Sequence, residues 1–156
     1  MAKAEWKLVN SENVAPFGSG DYQSRMLTGN EMAGEEVINI NEGTLKAGGT
    51  TNNESGRGGV HELTEIYYII EGDGDIVLDD VHIPAKAGDV YVIPGGTYHW
   101  IDNSKSTKPF RILTFWERQE QNEVYHARLK AWGTSVKNID DAYTEKRIKS
   151  ARRTRR

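Results

Sequence analysis

The sequence contains no cysteine, which excludes a disulfide framework, thiolate nucleophiles and thiolate metal ligands. Any metal this chain holds must be bound by histidine and carboxylate, and histidine is itself scarce, with four in 156 residues. No apolar run approaches the roughly 20 residues that span a bilayer. The opening MAKAEWKLVN lacks the apolar stretch and small-residue cleavage site of a secretory signal. A cytoplasmic protein with no membrane partner is therefore expected, and the sequon Asn53-Glu54-Ser55 should carry no glycan. The glycine-rich stretch GGTTNNESGRGG at residues 48–59 lacks the Gly-Lys-Ser/Thr ending and the following helix of a phosphate-binding loop. It reads instead as a mobile lip at the mouth of a barrel.

What is present fits one domain with a real core. The chain is 37% hydrophobic with a mean hydropathy of -0.68, which places it among soluble globular proteins on the polar side. The net charge of -3 conceals an asymmetry, because the last eleven residues carry seven positive charges, from Lys146 to Arg156, and without them the net charge is -10. The tail KRIKSARRTRR has no aromatic residue to stack on a base, and no nucleic-acid motif accompanies it, which argues against a nucleic-acid partner. A tail opposite in sign to its own body reads more economically as one that docks on the acidic surface of the same or a neighbouring subunit.

Along the chain, Lys7-Leu8-Val9 reads as a short strand in an entry segment punctuated by Pro16, Gly18 and Gly20. Two strand pieces are expected at Glu36 to Ile40 and Thr44 to Lys46, with Asn41-Glu42-Gly43 as the turn between them. Further strands are expected at Glu65 to Glu71, Asp75 to Leu78, Val90 to Ile93, His99 to Asp102 and Phe110 to Trp116. The turns between them fall at Gly72-Asp73-Gly74, Asp79-Asp80, Lys86 to Asp89 and Pro94-Gly95-Gly96. His82, just after Asp79-Asp80, is expected in a surface turn. Short, evenly spaced strands indicate a sandwich or small barrel. After Glu117 the pattern becomes helical: Tyr125, Leu129 and Trp132 share one face of a helix from Glu120 to Trp132, stopped by Gly133. A second amphipathic pattern runs from Ile139 to Ala151. His126 falls in the first of these helices and reads as exposed or partner-facing rather than as a ligand.

Two stretches carry the chemistry. GVHELTEIYYIIEGDG (59–74) and GDVYVIPGGTYHWIDN (88–103) each combine glycines, a β-branched and aromatic run and one histidine. The second fits the pattern G-x5-P-x-G-x2-H-x3-N through Gly88, Pro94, Gly96, His99 and Asn103. The first fits H-x3,4-E-x6-G through His61, Glu65 and Gly72, but Gly59 stands where a further histidine would complete H-x-H. In these motifs the chain resembles the cupin superfamily over roughly residues 35–116. The resemblance implies an all-β fold, a double-stranded β-helix (jelly-roll) barrel, here with a C-terminal helical extension. The organisation is then an N-terminal strand and loop segment at 1–34, the barrel at 35–117, and a helical segment with the basic tail at 118–156.

Alternate strand residues share a face, so Glu65, Tyr67 and Ile69 point one way, and the same parity carried back brings in His61 and Gly59. With His99 from the second motif, this makes a set of two histidines and one carboxylate. Such a set suits iron(II) and tolerates manganese, nickel, cobalt or zinc, and the resemblance implies the same divalent metal. Gly59 removes one imidazole, which opens a coordination position and weakens retention; Glu62 and Glu54 are the nearest residues that could fill the gap. Tyr67 has two open roles, acid/base group or barrel packing. Arg57 could pair with an anionic substrate or stay solvated, and Trp116 could stack on a substrate. Trp100 and Tyr98, out of phase with His99, should pack on the outer face.

Three functions fit. The first is a metal-dependent isomerase, epimerase or lyase acting on a small polar keto or hydroxy acid or a sugar derivative. The second is a non-haem iron dioxygenase, and the third a metal-free module that binds a small ligand. A homodimer is the expected assembly, since sheet edges and apolar helix faces need covering.

Overall fold

The computed structural model describes residues 9–14, 16, 20–28, 38–52 and 58–116. The expected C-terminal helices, His126, the basic tail, Glu54 and Arg57 lie outside that set, as does most of the strand expected at Lys7 to Val9.

The described residues form eight antiparallel strands and one 3-10 turn, Ser11–Asn13. The strands are β1 (Tyr22–Met26), β2 (Asn39–Leu45), β3 (Glu65–Glu71), β4 (Asp73–Leu78), β5 (Val81–Lys86), β6 (Val90–Ile93), β7 (His99–Asp102) and β8 (Phe110–Trp116). They build a five-stranded sheet in the order β1-β2-β8-β3-β6 and a three-stranded sheet in the order β5-β4-β7. Both sheets contribute to one core, with Leu45, Ile69, Phe110 and Ile112 from the first meeting Ile76, Ala85 and Ile101 from the second. This is the all-β, two-sheet arrangement expected from the strand spacing, and the jelly roll that the cupin resemblance implies.

Alternation sets the inner face. In β3 the burial pattern places Glu65, Tyr67 and Ile69 inside and leaves Ile66 and Tyr68 exposed, the parity read from the sequence. The pairing registers extend these positions into rows across the large sheet. One row holds Ser24, Gly43, Ile112 and Ile69, and the next holds Met26, Asn41, Thr114 and Tyr67. A third holds Asn39, Trp116 and Glu65. The inner face thus grades from aliphatic to polar along the strands.

Several expectations are corrected. Asn41-Glu42-Gly43 is no turn but the middle of β2, paired on both sides with β1 and β8. Turn chemistry gives way because two neighbouring strands satisfy the backbone, and because Gly43 makes room for the Tyr22 ring, whose atoms a Cβ there would strike at under 3 Å. Tyr22–Met26, within the N-terminal segment where a strand is expected only at Lys7 to Val9, is a strand. Asp73 and Gly74 already belong to β4, so the turn contracts to Gly72, which has φ +103 and no room for a Cβ beside the Pro109 carbonyl. Asp79 and Asp80 do form a turn, with φ of 45 and 65, but it is tight and leads straight into β5. His82 therefore lies within a strand, opposite Val77.

Asn103, at the end of the second motif, is buried, and its Nδ2 donates to the carbonyls of Lys46 and Lys108 at 3.0 and 2.8 Å. This side chain ties two connecting segments to the end of β7. Beside it, Asp102 accepts a bond from the Ser104 N–H at 3.0 Å. Burial pushes the Asp102 carboxyl up, but the Ser104 donors and the charges of His82 and Lys105 outweigh it and hold the group below the ordinary aspartate value. A depressed carboxyl contributes stability that is complete above the unfolded pKa of about 3.9 and is lost as pH falls through the lower folded value. Urea melts taken on either side of that window should show the wild type losing stability on acidification and Asp102→Asn losing less. Equal losses in the two proteins would remove Asp102 from the acid response.

Candidate metal centre

The first motif reaches the second through backbone contacts rather than through a regular strand. Gly59 and His99 exchange two hydrogen bonds, Gly59 N–H to the His99 carbonyl at 2.8 Å and His99 N–H to the Gly59 carbonyl at 2.9 Å. Two residues on, the His61 carbonyl accepts from the Gly96 N–H at 2.8 Å. A Cβ on Gly95 would fall 1.9 Å from the Glu62 carbonyl oxygen, so the Pro94-Gly95-Gly96 turn can press against residues 61–63 only because it lacks side chains there. The glycines of the second motif thus seat the histidine of the first.

His61, Glu65 and His99 converge, with one ligand atom from each lying within 4.8 Å of the others. Glu65 Oε2 is 2.9 Å from His61 Nε2 and 3.2 Å from His99 Nε2. The two rings stand edge to face with centroids 4.9 Å apart. Glu65 and His99 are buried, and His61 is partly exposed, on the open side.

The other ring nitrogens decide the chemistry. His61 Nδ1 donates to the Leu63 carbonyl at 2.6 Å and His99 Nδ1 donates to the Thr97 carbonyl at 2.9 Å. A carbonyl can only accept, so in each ring the Nδ1 carries a proton, and Nε2 is the atom turned toward Glu65. Two imidazole Nε2 atoms and a carboxylate oxygen then face one another in a largely buried space. Such a set is stabilised only by an electropositive centre, a metal ion or a proton held between them. The donor set fits a divalent metal of the zinc and iron class, with the backbone carbonyls acting as the outer partners that fix ring orientation.

Tyr67 lies one inward position further along β3, 7% exposed, its ring edge-on to His99 with centroids 5.8 Å apart. Glu62 is exposed and outside the convergent group. Trp116 is buried in the same row as Glu65. Tyr98 donates its hydroxyl to Asn52 Oδ1 at 3.1 Å, and Trp100 packs edge-on against His82 on the outer face. Sequence reasoning missed Asn41 and Thr114, which share the inner row of Tyr67 and are buried. Thr114 Oγ1 is buried and has no hydrogen-bond partner among the described residues. Recognising β2 as one strand would have brought Asn39 and Asn41 to this face.

Residues 50–116 match the cupin domain family model. The chain contains a cupin domain. The fold resembles several solved structures, and at these identities the likeness concerns the fold alone. One is the polyketide cyclase RemF from Streptomyces resistomycificus, 20% identical with a TM-score of 0.62, covering 74% of this chain and 81% of that one. A second is a predicted oxalate decarboxylase from Thermotoga maritima, 23% identical with a TM-score of 0.58, covering 72% and 99%. A third is KdgF from a Halomonas species, 13% identical with a TM-score of 0.58, covering 74% and 97%. No curated protein sequence matches the chain.

Gly59 is the point at which the cupin pattern is incomplete. A Cβ built there would lie 3.6 Å from His99 Nε2, an ordinary contact, so a side chain at this position would start beside the ligand set without displacing it. Gly59→His should add a fourth donor and tighten zinc or manganese retention by roughly tenfold or more, the scale on which even outer partners change metal affinity. Competition against a chelator measures this, and unchanged retention would show that position 59 does not face the centre.

Proposed function

We propose that the cupin domain is a metal-dependent enzyme acting on a small polar molecule, a keto or hydroxy acid or a sugar derivative, by isomerase, epimerase or lyase chemistry. The observation that carries the proposal is the convergence of two imidazole Nε2 atoms and Glu65 Oε2, with both Nδ1 protons committed to backbone carbonyls. His61, Glu65 and His99 are the proposed ligands. A divalent metal, iron, manganese, nickel or zinc, would supply Lewis-acid polarisation of a substrate carbonyl and stabilise the charge that develops on it.

The protein's own groups do the rest. Tyr67, against His99, stands where a phenol can give or take a proton at a bound substrate. Thr114 offers a buried hydroxyl with no partner among the described residues, and Asn41 accepts from the Ser24 hydroxyl in the same region. A polar substrate satisfies such groups better than an apolar one, since a buried polar atom left unpaired costs on the order of 1–3 kcal/mol. Ile69 and Ile112 close the floor behind them and keep bulk water out.

A dioxygenase is the second reading, favoured by one feature. With glycine at position 59 the ligand set is two histidines and one carboxylate, which leaves positions for both substrate and O2 on iron(II). For assembly, we favour a homodimer. Among the described residues strand β6 is a sheet edge, and beside it Ile66, Tyr68, Val90 and Val92 expose 37–62% of their surface, an apolar stripe that a second copy would cover. Light scattering that gives the mass of a single chain would exclude the dimer.

The metal reading is tested by the metal content of untagged protein, wild type beside His99→Ala and Glu65→Gln. Each substitution should cut retention at least 10- to 100-fold, since it removes a ligand where losing an outer partner already costs that much, while the melting transition persists. Retained metal in Glu65→Gln would show the ligand assignment to be wrong. Tight ligand binding that survives chelation and His99→Ala would instead favour a metal-free binding module. With substrate in hand, Tyr67→Phe should lower kcat by about 10²-fold or more without changing metal content. Oxygen uptake by iron(II)-loaded protein on dicarbonyl, thiol or catechol-like compounds would move the assignment to the dioxygenase.

A further inference from the structure

The outer face of the three-stranded sheet carries a second group of ligand-bearing side chains. The registers place Asp75 directly opposite Asp102 across the β4 and β7 pair, and His82 opposite Val77 across β4 and β5. His82 therefore sits diagonally from the two carboxylates. Its Nδ1 is 3.1 Å from Asp75 Oδ2 and 3.8 Å from Asp102 Oδ2, and one ligand atom from each of the three lies within 4.8 Å of the others.

Three features set this apart from a chance meeting of surface charges. Like charges directly opposite on neighbouring strands destabilise a sheet, and Asp75 and Asp102 are such a pair. The side chains are also restrained: Asp102 Oδ1 accepts from the Ser104 N–H, which leaves Oδ2 turned to His82, and the Trp100 ring holds the imidazole edge-on at a centroid distance of 5.5 Å. Finally, Asp75 and Asp102, though not His82, line an open cavity of about 740 Å³ together with Ser104 and Lys105, and the same cavity borders none of His61, Glu65 and His99. An ion can thus enter from solvent without passing the barrel mouth.

We infer that Asp75, His82 and Asp102 form a second divalent-cation site, on the outer face of the sheet, separate from the one proposed at the barrel mouth. An ion bound there takes over from the imidazole the neutralisation of the two facing carboxylates. One imidazole nitrogen with two carboxylate oxygens selects the zinc, nickel and cobalt class over magnesium or calcium, which prefer all-oxygen shells. Small side-chain rotations bring the three donors to the 2.0–2.2 Å typical of zinc. With side-chain exposures of 47%, 30% and 15% for His82, Asp75 and Asp102, water completes the coordination, as expected of a reversible site.

The test counts zinc bound by the untagged full chain in equilibrium dialysis. The double variant His61→Ala with His99→Ala, in which the barrel-mouth set is removed, should still bind one equivalent, and adding His82→Ala should abolish it. Adding Asp102→Asn instead, which preserves shape, should weaken that equivalent at least tenfold. If zinc binding by the double variant is unchanged by either addition, the site is refuted. The comparison of wild type with the double variant reads the barrel-mouth centre separately, so either site can fail without the other.

Discussion

The two hydrogen bonds exchanged by Gly59 and His99 are the constraint on which the candidate centre depends. They join the segment ahead of β3, which belongs to no regular strand, to the first residue of β7 in the opposite sheet. Because one partner is His99 itself, the contact that docks the first motif also fixes the backbone of a proposed ligand in the second. Once it is made, His61 follows two residues along, held by the Gly96 N–H, and Glu65 arrives at the start of β3 with its parity already set. Three side chains separated by up to 38 positions are thereby placed by strand parity and by the backbone bonds that hold the segment ahead of β3.

Protonated Nδ1 atoms on both histidines give that geometry its chemical direction. The Leu63 and Thr97 carbonyls, each two residues from its histidine, take the Nδ1 proton and turn Nε2 to Glu65, where a metal ion or a shared proton can join the two. Ring orientation is therefore written into the local chain path.

Much of this was legible in the sequence because it depends on period and spacing. The strands β3, β6, β7 and β8 have the bounds expected from their β-branched and aromatic runs, and the alternation in β3 sends Glu65 and Tyr67 inward as read. What failed did so for physical reasons. Asn41-Glu42-Gly43 has the composition of a turn, but β1 and β8 flank it on both sides, and pairing on two edges outweighs local preference. Strand β5 was invisible because its residues are mostly exposed and include Pro84, so it shows no alternation; an edge strand tolerates proline where a central one would not. The misplacement of His82 followed directly, since without β5 it had no neighbours. The departure at Gly59 was visible at once, yet only the structure shows that the position faces the His99 ring.

Strand β7 ties the two faces of the small sheet together. Its four residues alternate, His99 and Ile101 into the barrel, Trp100 and Asp102 away from it. A four-residue strand leaves no slack, because a shift of one residue in its register with β4 would exchange the two sets completely. Asn103, bonded to the carbonyls of Lys46 and Lys108 immediately after the strand, and the Gly59 bridge at its start hold it from both ends. Fixing that register is what allows one short segment to present an imidazole to the interior and a carboxylate to the surface, and it explains why the closing asparagine of the motif is buried and bonded to the chain rather than turned toward the centre.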